Sequence, residues 1–271
     1  MGFLLAQPPI VTLTTDFGLD DHFVGTMKGV MLSINPAIQF ADICHQVRSY
    51  DVLDGALTLA LSYCYFPPGT IHLVIVDPGV GSARRPILAS SGRYRFVAPD
   101  NGVLSFVYER EPKVEVRHAT AERYFVQPVS NTFHGRDIFA PLAAWLSNGI
   151  EPQQLGVIVT DYVKLSLPEP RRVNHGHVEG VVMKVDKFGN LITNVAPEDV
   201  PELFSVNSVP FRITVQEHKI SRLYSSYSMG GPSELFAILG SSGYLEICIN
   251  LGSAASALQA TRGTKVTIAL G

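Results

Sequence analysis

Residues 70–86 read TIHLVIVDPGVGSARRP, and this stretch decides how the first half of the chain is interpreted. Its first seven residues, 70–76, are almost continuously apolar, which is typical of a strand buried on both faces of a parallel sheet. The apolar run ends at Asp77, and the Pro-Gly-Val-Gly segment that follows predicts a tight turn before Arg84. A strand that delivers a carboxylate into such a turn fits either an exposed ion pair or half of an active site.

The remainder of the first half alternates short β-branched runs with amphipathic segments. Besides the strand at 70–76, the predicted elements are strands at 10–15, 38–43 and 94–99, helices at 21–35, 51–66 and 137–147, and a short helix after Asn101. Alternating strands and helices with buried strands predict the α/β class, with a mainly parallel sheet flanked by helices on both faces.

The second half has a different pattern. A Pro-rich polar segment at 166–177 predicts a linker, which separates an N-terminal domain (1–165) from a C-terminal domain (178–271). Short Val- and Ile-rich runs separated by turn signals predict a small antiparallel β domain there, with strands at 178–185, 191–195, 209–215, 234–239, 244–250 and 264–270.

Composition excludes several function classes. The 271 residues are 46% hydrophobic and carry a formal net charge of −3, with no Lys/Arg run longer than two, so we expect a compact protein without nucleic-acid or membrane partners. Cys44, Cys64 and Cys248 are widely scattered, and the histidines lack HxxxH spacing, so we expect free thiols and no metal site. The N-terminus lacks the basic segment of a signal peptide. A cytoplasmic location is therefore expected.

Ionisable residues follow the predicted strands at one edge of the sheet. Asp16 comes directly after the strand at 10–15, and Asp77 comes directly after the strand at 70–76. The segment NTFHGRDIFAP (131–141) adds His134 just before a helix. Since ligands of such sheets bind beyond the carboxyl ends of the strands, these side chains are candidates for one site.

Each of these groups also has an ordinary structural explanation. Asp16 can cap a turn, Asp137 suits the first turn of a helix, and one of Arg84 and Arg85, taken to be Arg85, is expected to be solvated. Convergence of several ionisable groups is what favours a functional site. A carboxylate such as Asp16 can accept hydrogen bonds from both hydroxyls of a ribose, and Tyr50 can pack against a sugar or base.

Six segments together resemble the S-adenosylmethionine (SAM) hydroxide adenosyltransferases, which are adenosine-forming SAM hydrolases related to the SAM-dependent fluorinase and chlorinase. The segments are TLTTDFGLDDHFVGTMKGVMLSINP (12–36), VDPGVGSARRP (76–86), APDNGVLS (98–105), TFHGRDIFAP (132–141), DKFGNLITN (186–194) and GSSGYLEICIN (240–250). The resemblance implies an N-terminal α/β domain, a C-terminal β-barrel-like domain and a homotrimer. In that trimer, the substrate would lie between the N-terminal domain of one subunit and the C-terminal domain of its neighbour.

The resemblance also implies catalytic roles. Asp77, Arg84 and His134 match the Asp, Arg and His with which the hydrolases place a water or hydroxide. Which of Asp77 and His134 takes the proton stays open at this point. The halogenases carry an aromatic residue at the Asp position and an extra loop in the first domain. Since Asp77 is present and that loop is absent, the chain matches the hydrolase branch.

The same resemblance implies the residues that bind substrate. Asp16 would hold the ribose hydroxyls, and Tyr50 would form a wall beside the sugar. The other matched positions are Asp21, Asp186 and Ser241 at the methionine end, Asn190, Tyr227 and the backbone at Ile249 at adenine, and Glu246 at the substrate edge. Gly240 stands where the family suggests Asn, which is expected to alter the wall of the methionine pocket.

The function implied by these matches is hydrolysis of S-adenosyl-L-methionine to adenosine and L-methionine. Water would attack C5′ in line (SN2) and methionine would leave as a neutral thioether, so neither a metal ion nor a cofactor is expected. Two alternatives remain from the sequence: a non-catalytic sensor that binds SAM or adenosine, and a SAM-dependent halogenase.

Overall fold

The computed structural model describes residues 7–166, 168–205 and 209–271, and it divides into two compact units, Met1–Leu165 and Ser166–Gly271. Residues 1–6, where a signal peptide is not expected, lie outside the described residues. Each unit has its own hydrophobic core. Within the described ranges, no helix is long and apolar enough to cross a membrane.

The first unit is built from strands and helices in alternation. Its elements are β1 (Ile10–Thr15), α1 (Phe23–Ile34), β2 (Gln39–Cys44), α2 (Val52–Ala60), β3 (Ile71–Ile75), β4 (Pro86–Ser90), β5 (Arg95–Pro99), α3 (Ser105–Arg110), β6 (Glu115–Ala119), α4 (Ala140–Ser147), α5 (Pro152–Leu155) and β7 (Gly156–Ile158). Short 3₁₀ turns lie at Tyr63–Tyr65 and Glu122–Tyr124, and a π-helical turn at Gly135–Phe139 precedes α4.

The strands of the first unit form one sheet in the order β2-β1-β3-β5-β4-β6-β7. Its first four strands run parallel, with Thr12 opposite His72 and His72 opposite Phe96, which confirms the predicted α/β fold. The sheet then continues through antiparallel pairs to β4, β6 and β7. This extension was missed because none of these strands has a clear strand pattern of its own: β4 begins at a proline, β6 reads EVRHA, and β7 has only three residues.

Helices cover both faces of this sheet. Side chains alternate along β3, so Ile71, Leu73 and Ile75 face a core shared with α1 and α4. Val74 faces the opposite core, which α2 and α3 complete. Because β1 and β3 are parallel neighbours with Thr15 opposite Ile75, the residues that follow both strands emerge at the same sheet edge. That edge carries Asp16 and Asp77.

The second unit is a curled, mainly antiparallel sheet, in which only the short β13 pairs parallel to its neighbour among the described strands, and this confirms the predicted C-terminal β fold. Its elements are β8 (Arg171–Asn174), β9 (His177–Val185), β10 (Leu191–Thr193), α6 (Pro201–Phe204), β11 (Phe211–Val215), β12 (His218–Ile220), β13 (Leu223–Tyr224), β14 (Leu235–Leu239), β15 (Leu245–Ile249), α7 (Ala254–Leu258) and β16 (Lys265–Leu270). The strand order is β12-β11-β16-β9-β10-β15-β14-β13, and β8, inside the segment interpreted as a linker, pairs with β9.

Strand β9 is what curls this sheet. Its first part, up to Val181, pairs with β16, and its second part, from Val182, pairs with β10. The register with β10 shifts after Ile192, and such an irregularity increases the local twist. The result is a half-barrel around the second core.

Candidate active site

Asp77 and Arg84 form a buried ion pair in the loop between β3 and β4. Arg84 Nε donates to Asp77 Oδ1 over 2.9 Å, and Arg84 Nη2 donates to Asp77 Oδ2. The two side chains are only 6% and 8% exposed, for Asp77 and Arg84 respectively. A two-pronged contact of this kind fixes the carboxylate in both position and orientation.

His134 joins this pair through the same guanidinium. Arg84 Nη2 lies 2.7 Å from His134 Nδ1. Since a guanidinium carries only donors, Nδ1 must accept, which makes His134 a neutral imidazole with its proton on Nε2. Burial lowers the pKa of His134, the charge of Arg84 lowers it further, and Asp77 and Asp137 oppose this. The structure therefore brings the three predicted catalytic residues together.

A glycine allows the loop to fold against the segment that carries His134. Gly81 adopts φ +78°, and a Cβ at this position would collide with the carbonyl oxygen of Asn131. Only glycine tolerates both the left-handed backbone and so close an approach. The tip of the loop can therefore pack against the segment that leads into His134.

A buried carboxylate anchors the segment that precedes His134. Asp137 is fully buried in the π-helical turn and accepts from Ser130 N over 2.8 Å and from Arg136 Nε over 2.6 Å. Burial alone would raise the pKa of Asp137, but these hydrogen bonds and the charge of Arg136 outweigh it and lower that pKa. Asp137 lies in a first helical turn, as predicted, and it also ties down the chain before His134.

Asp16 and Tyr50 meet through the backbone. Asp16 Oδ2 accepts from Tyr50 N over 2.8 Å, and Tyr50 has φ +65°, an unusual conformation for an aromatic residue. Tyr50 as a whole residue is 76% exposed. Burial raises the pKa of Asp16, the bond from Tyr50 N partly offsets this, and Asp77 raises it slightly. One carboxylate thus holds a strained backbone that presents an exposed aromatic ring.

These residues surround a cavity of about 340 Å³ in the first unit. It is lined by Asp16, Phe17, Phe23, Ser49, Tyr50, Ile75, Asp77, Val80, Thr132, Phe133, His134 and Gly135. Arg84 contacts two of these lining residues without being one of them. Asp21 is exposed and does not line the cavity, so the structure does not bring it to this group.

An aromatic cluster, which was not predicted from the sequence, forms the apolar wall of the cavity. The ring centroids of Phe17, Phe23 and Phe133 lie 5.1 to 6.1 Å apart. Each phenylalanine is next to, or two residues from, a polar residue that was singled out. An aromatic side chain beside a strand-end polar residue was therefore an available signal.

In the second unit, Asp186 and Asn190 close one tight turn. Asp186 Oδ1 accepts from the backbone N–H groups of Phe188 and Asn190 over 2.9 and 2.8 Å. Its Oδ2 accepts from Asn190 Nδ2 over 2.9 Å. The structure thus brings together two residues that were predicted to contact opposite ends of the substrate. Ser241 is exposed, and Ile249 ends β15 half-buried.

A second pair in this unit is Tyr227 and Glu246. The Tyr227 hydroxyl donates to Glu246 Oε2 over 2.9 Å, and Ser242 Oγ donates to Oε1 over 3.3 Å. Burial raises the pKa of Glu246. The hydrogen bonds from Tyr227 and Ser242 oppose this rise, and the charge of Asp186 adds to it. A Cβ on Gly240 would collide with Glu246 Oε1. The Glu246 carboxylate therefore occupies the space that a side chain at position 240 would fill.

Arg85 corrects the expectation that it is solvated. Its side chain is only 24% exposed, and Nε donates to Asp100 Oδ2 over 2.9 Å. Nη1 donates to Asp161 Oδ1 over 2.8 Å. Adjacent arginines emerge on different sides of the loop, so each finds a separate acidic partner in the folded chain.

Two further expectations concern metals and thiols. Within the described ranges, no group of three or more His, Cys, Asp or Glu side chains is arranged to hold a metal ion. Cys44, Cys64 and Cys248 are all free thiols.

Known proteins match this chain over nearly its full length. The family model described as the SAM hydroxide adenosyltransferase N-terminal domain matches residues 11–156, and the corresponding C-terminal domain model matches residues 180–267. An (R)-S-adenosyl-L-methionine hydrolase from Salinispora tropica is 34% identical over 269 residues, which cover 98% of this chain and 100% of the relative.

A more distant relative and a solved structure agree with this assignment. A fluorinase from Nocardia brasiliensis is 26% identical over 292 residues, with 97% of each chain covered. The crystal structure of an uncharacterized conserved protein from Thermotoga maritima has a TM-score of 0.89 at 36% identity and covers 96% of this chain and 99% of its own. These matches confirm the resemblance found in the sequence, and the chain belongs to the SAM hydroxide adenosyltransferase family.

Proposed function

We propose that this chain is an enzyme that hydrolyses S-adenosyl-L-methionine to adenosine and L-methionine. The observation that carries the proposal is the contact of Arg84 with both Asp77 and His134, two residues that line the cavity. A carboxylate and an imidazole held by one guanidinium can orient a water molecule. The names of the hydrolase relatives support the same reaction.

In the proposed step, the water oxygen forms a bond to C5′ while the C5′–S bond breaks. The electron pair of that bond goes to sulfur, so methionine leaves as a neutral thioether and one proton is released. A thioether leaving group needs no general acid. Catalysis therefore depends on placing and deprotonating the water, and a positioned base typically contributes about 10²–10⁴-fold.

The hydrogen bonds in the site distinguish the two candidate bases. His134 Nδ1 accepts from Arg84, so the proton of the neutral ring is on Nε2, which can donate to the water but cannot accept its proton. Each oxygen of Asp77 accepts one bond from Arg84 and keeps a second lone pair. We therefore assign proton acceptance to Asp77 and orientation of the water to His134, while the charge of Arg84 stabilises developing hydroxide.

The remainder of the cavity suits a cationic nucleoside. Asp16 and Asp77 both line it, and two carboxylates favour a ligand that carries a sulfonium charge. Asp16 can also accept from the two ribose hydroxyls, and the exposed ring of Tyr50 can cover the sugar. Asp77 disfavours the halogenase alternative, because a carboxylate at the point of attack repels a halide ion.

We also propose a cytoplasmic homotrimer in which a neighbouring subunit completes each site. The three free thiols fit a reducing compartment. The first unit supplies the ribose and water-placing groups, whereas the residues matched to the methionine and adenine ends lie mostly in the second unit. In the proposed trimer, these would come from the second unit of the next subunit.

Labelled water tests the reaction. The purified protein is incubated with SAM in H₂¹⁸O, and the two sulfonium epimers are supplied separately because the relatives' name specifies (R). One ¹⁸O atom per adenosine and one methionine per adenosine are expected, and Asp77→Asn should abolish most turnover. Adenosine without label would contradict attack by water at C5′.

The same samples distinguish the sensor and halogenase alternatives. A sensor would bind adenosine or SAM tightly with no turnover, and Asp77→Asn would leave both binding and product level unchanged. A halogenase would form 5′-halo-5′-deoxyadenosine when chloride or fluoride is added. Either outcome would replace hydrolysis as the function.

Mixing two inactive variants tests the shared site. Asp77→Asn removes the water-placing carboxylate of the first unit, and Asn190→Ala alters the second unit. If sites form between subunits, co-refolded mixtures regain part of the activity, because some sites combine two intact halves. Light scattering measures the oligomer directly, and a monomer with full activity would exclude this arrangement.

A further inference from the structure

We infer that Asp100 and Asn101 are positioning residues that grip the two ends of the loop carrying Asp77 and Arg84, with Arg85 as the partner of Asp100. This inference rests on the proposed function, since it concerns the water-placing pair of that site. The three residues lie outside the cavity and contact none of the residues proposed to touch substrate. They act through the loop that connects β3 to β4.

Asn101 holds the beginning of the loop. Its Nδ2 donates over 2.8 Å to the carbonyl oxygen of Val76, the residue directly before Asp77. Its Oδ1 accepts from Val103 N over 3.2 Å, which fixes the orientation of the amide. The backbone that carries Asp77 is therefore tied to the chain beyond β5 at the point where β3 ends.

Asp100 holds the end of the loop. Its backbone N–H donates over 2.9 Å to the carbonyl oxygen of Arg85, the residue directly after Arg84. Its side chain is 3% exposed and accepts from Arg85 Nε through Oδ2, while Oδ1 accepts from Val163 N over 2.8 Å. Oδ2 of this buried carboxylate thus holds the loop through Arg85, while Oδ1 anchors the carboxylate itself to the backbone at Val163.

Arg85 extends this grip to the end of the first unit. Its Nη1 donates to Asp161 Oδ1 over 2.8 Å, and its Nη2 donates to the Asp161 carbonyl oxygen over 2.9 Å. A planar guanidinium donates these bonds and the bond to Asp100 from three separate nitrogens, whereas an ammonium would have to reach all three acceptors from one atom. The arginine at this position is therefore specified by geometry as well as by charge.

The consequence is a fixed distance between the two ends of the loop. Asp100 and Asn101 are neighbours in the chain, so the residues next to Asp77 and next to Arg84 are tied to adjacent points. The two hydrogen bonds from Arg84 to Asp77 form together only when both side chains are correctly aligned. A misplacement of about 1 Å in such a site can lower the rate about a hundredfold. Loosening either end should reduce the chemical step more than it reduces nucleoside binding, because Asp16 and Tyr50 are held by their own hydrogen bond and lie outside this loop.

Four variants test this. Asn101→Asp is nearly isosteric but replaces the donor to Val76 with an acceptor, and Asp100→Asn removes the charge that faces Arg85. Arg85→Gln removes the guanidinium. Arg85→Lys keeps the positive charge without the planar guanidinium, and it takes the place of Arg85→Gln in the test if that variant does not fold. Arg117→Gln is the matched control, because Arg117 also bonds one carboxylate and one carbonyl in this unit but does not touch the loop.

We expect kcat to fall about tenfold to a hundredfold in the first three variants, with the dissociation constant of adenosine within about twofold of wild type. Arg85→Lys should recover part of this loss, and Arg117→Gln should leave kcat unchanged. Folded variants with wild-type kcat would overturn the inference. Equal weakening of kcat and adenosine binding would also overturn it, because that pattern indicates general structural damage.

A second measurement separates this inference from the proposed function. The imidazole of His134, which faces Arg84, Asp77 and Asp137, is titrated by NMR in each variant. Loosening the loop moves Arg84 away from Nδ1, so the midpoint should move towards that of an ordinary histidine. An unchanged midpoint would contradict the inference, whether or not the wild-type protein hydrolyses SAM.

Discussion

Arg84 donates from Nη2 to Nδ1 of His134 over 2.7 Å, and this contact fixes the imidazole as a neutral acceptor. The contact breaks if His134 gains a proton, because Nδ1 would then be a donor facing a donor. Burial, followed by the charge of Arg84, lowers the pKa of His134 from its ordinary value of 6.5. The active form of the site is therefore retained into mildly acidic conditions.

The first prediction concerns the pH dependence of turnover. Activity requires neutral His134, so it should be lost only as pH falls through the lowered pKa, below 6.5. In Arg84→Gln the positive neighbour is gone, so the acidic limb of the residual activity should move upwards. The measurement is kcat/KM against pH from 4.5 to 8.

A control variant tests whether the acidic limb of the pH profile comes from the His134 imidazole. His134→Asn keeps an oxygen that can accept from Arg84 but does not titrate, so the limb should disappear from its residual activity. A wild-type limb at or above 6.5 would contradict the prediction, as would an unchanged limb in His134→Asn.

The second prediction concerns Asp16 and the ribose. Asp16→Asn keeps an oxygen for Tyr50 N but loses the charge, and hydrogen bonds to charged groups contribute about 1.5–3 kcal/mol. We expect KM to rise about tenfold to a hundredfold, with a smaller effect on kcat. Competitive inhibition by adenosine and by 2′-deoxyadenosine gives the readout, since the preference for adenosine should shrink in the variant.

Asp20→Asn is the matched control for this change, because Asp20 is a nearby exposed aspartate that does not line the cavity. It should leave both inhibition constants unchanged. If Asp16→Asn keeps the full preference for adenosine, the carboxylate does not bind the diol.

Much of the fold could be predicted from the sequence because its central strands have a clear pattern. The apolar run at 70–76 and the run at 10–15 gave β3 and β1, together with the sheet edge at which Asp16 and Asp77 lie. Strands β6 and β7 could not be found in this way, since such short strands depend on pairing with a neighbouring strand more than on their own periodicity. Tertiary pairing determines these strands.

Part of the candidate site could likewise be predicted from the sequence, and part of it could not. Asp77, Arg84 and His134 stood out because strand ends and glycine turns place polar groups at a predictable edge. The roles of Arg85 and Asp100 could not be predicted, because their partners depend on how β4 and β5 pair. Glu246 is similar: its position depends on the space left at Gly240, which only the folded chain shows.

The third prediction tests that space. Gly240→Ala places a Cβ against the Glu246 carboxylate and should destabilise the protein by about 1–3 kcal/mol, as overpacking of a buried site does. Most of this cost should vanish when Glu246→Ala is already present. Free energies of unfolding from denaturant titrations of the single and double variants give the coupling between the two positions.

Gly231→Ala is the control for the glycine replacement, since a Cβ there meets its nearest neighbour, Glu234 Oε2, at an ordinary 3.4 Å. It should change the free energy of unfolding little. Additive effects of Gly240→Ala and Glu246→Ala would show that the two positions do not compete for space.

The fourth prediction concerns His72 and the stability of the fold. His72 is fully buried in β3, its Nδ1 lies 2.8 Å from Thr12 Oγ1, and its ring stacks on Phe96 at 5.1 Å. Burial lowers the pKa of His72 to about 3. An unfolded histidine takes up its proton near pH 6.5, so between about pH 6.5 and pH 3 the unfolded state binds more protons than the native state. Stability should therefore rise with pH through this window and fall as the solution is acidified.

His72→Gln isolates this contribution, because glutamine can still bond Thr12 but does not titrate. Between pH 7 and pH 5, the wild-type protein should lose about 2 kcal/mol more unfolding free energy than the variant. Other titrating groups act on both proteins equally, so they cancel in the difference. Denaturant titrations at the two pH values measure it, and parallel losses in the two proteins would mean that His72 is protonated without unfolding the sheet.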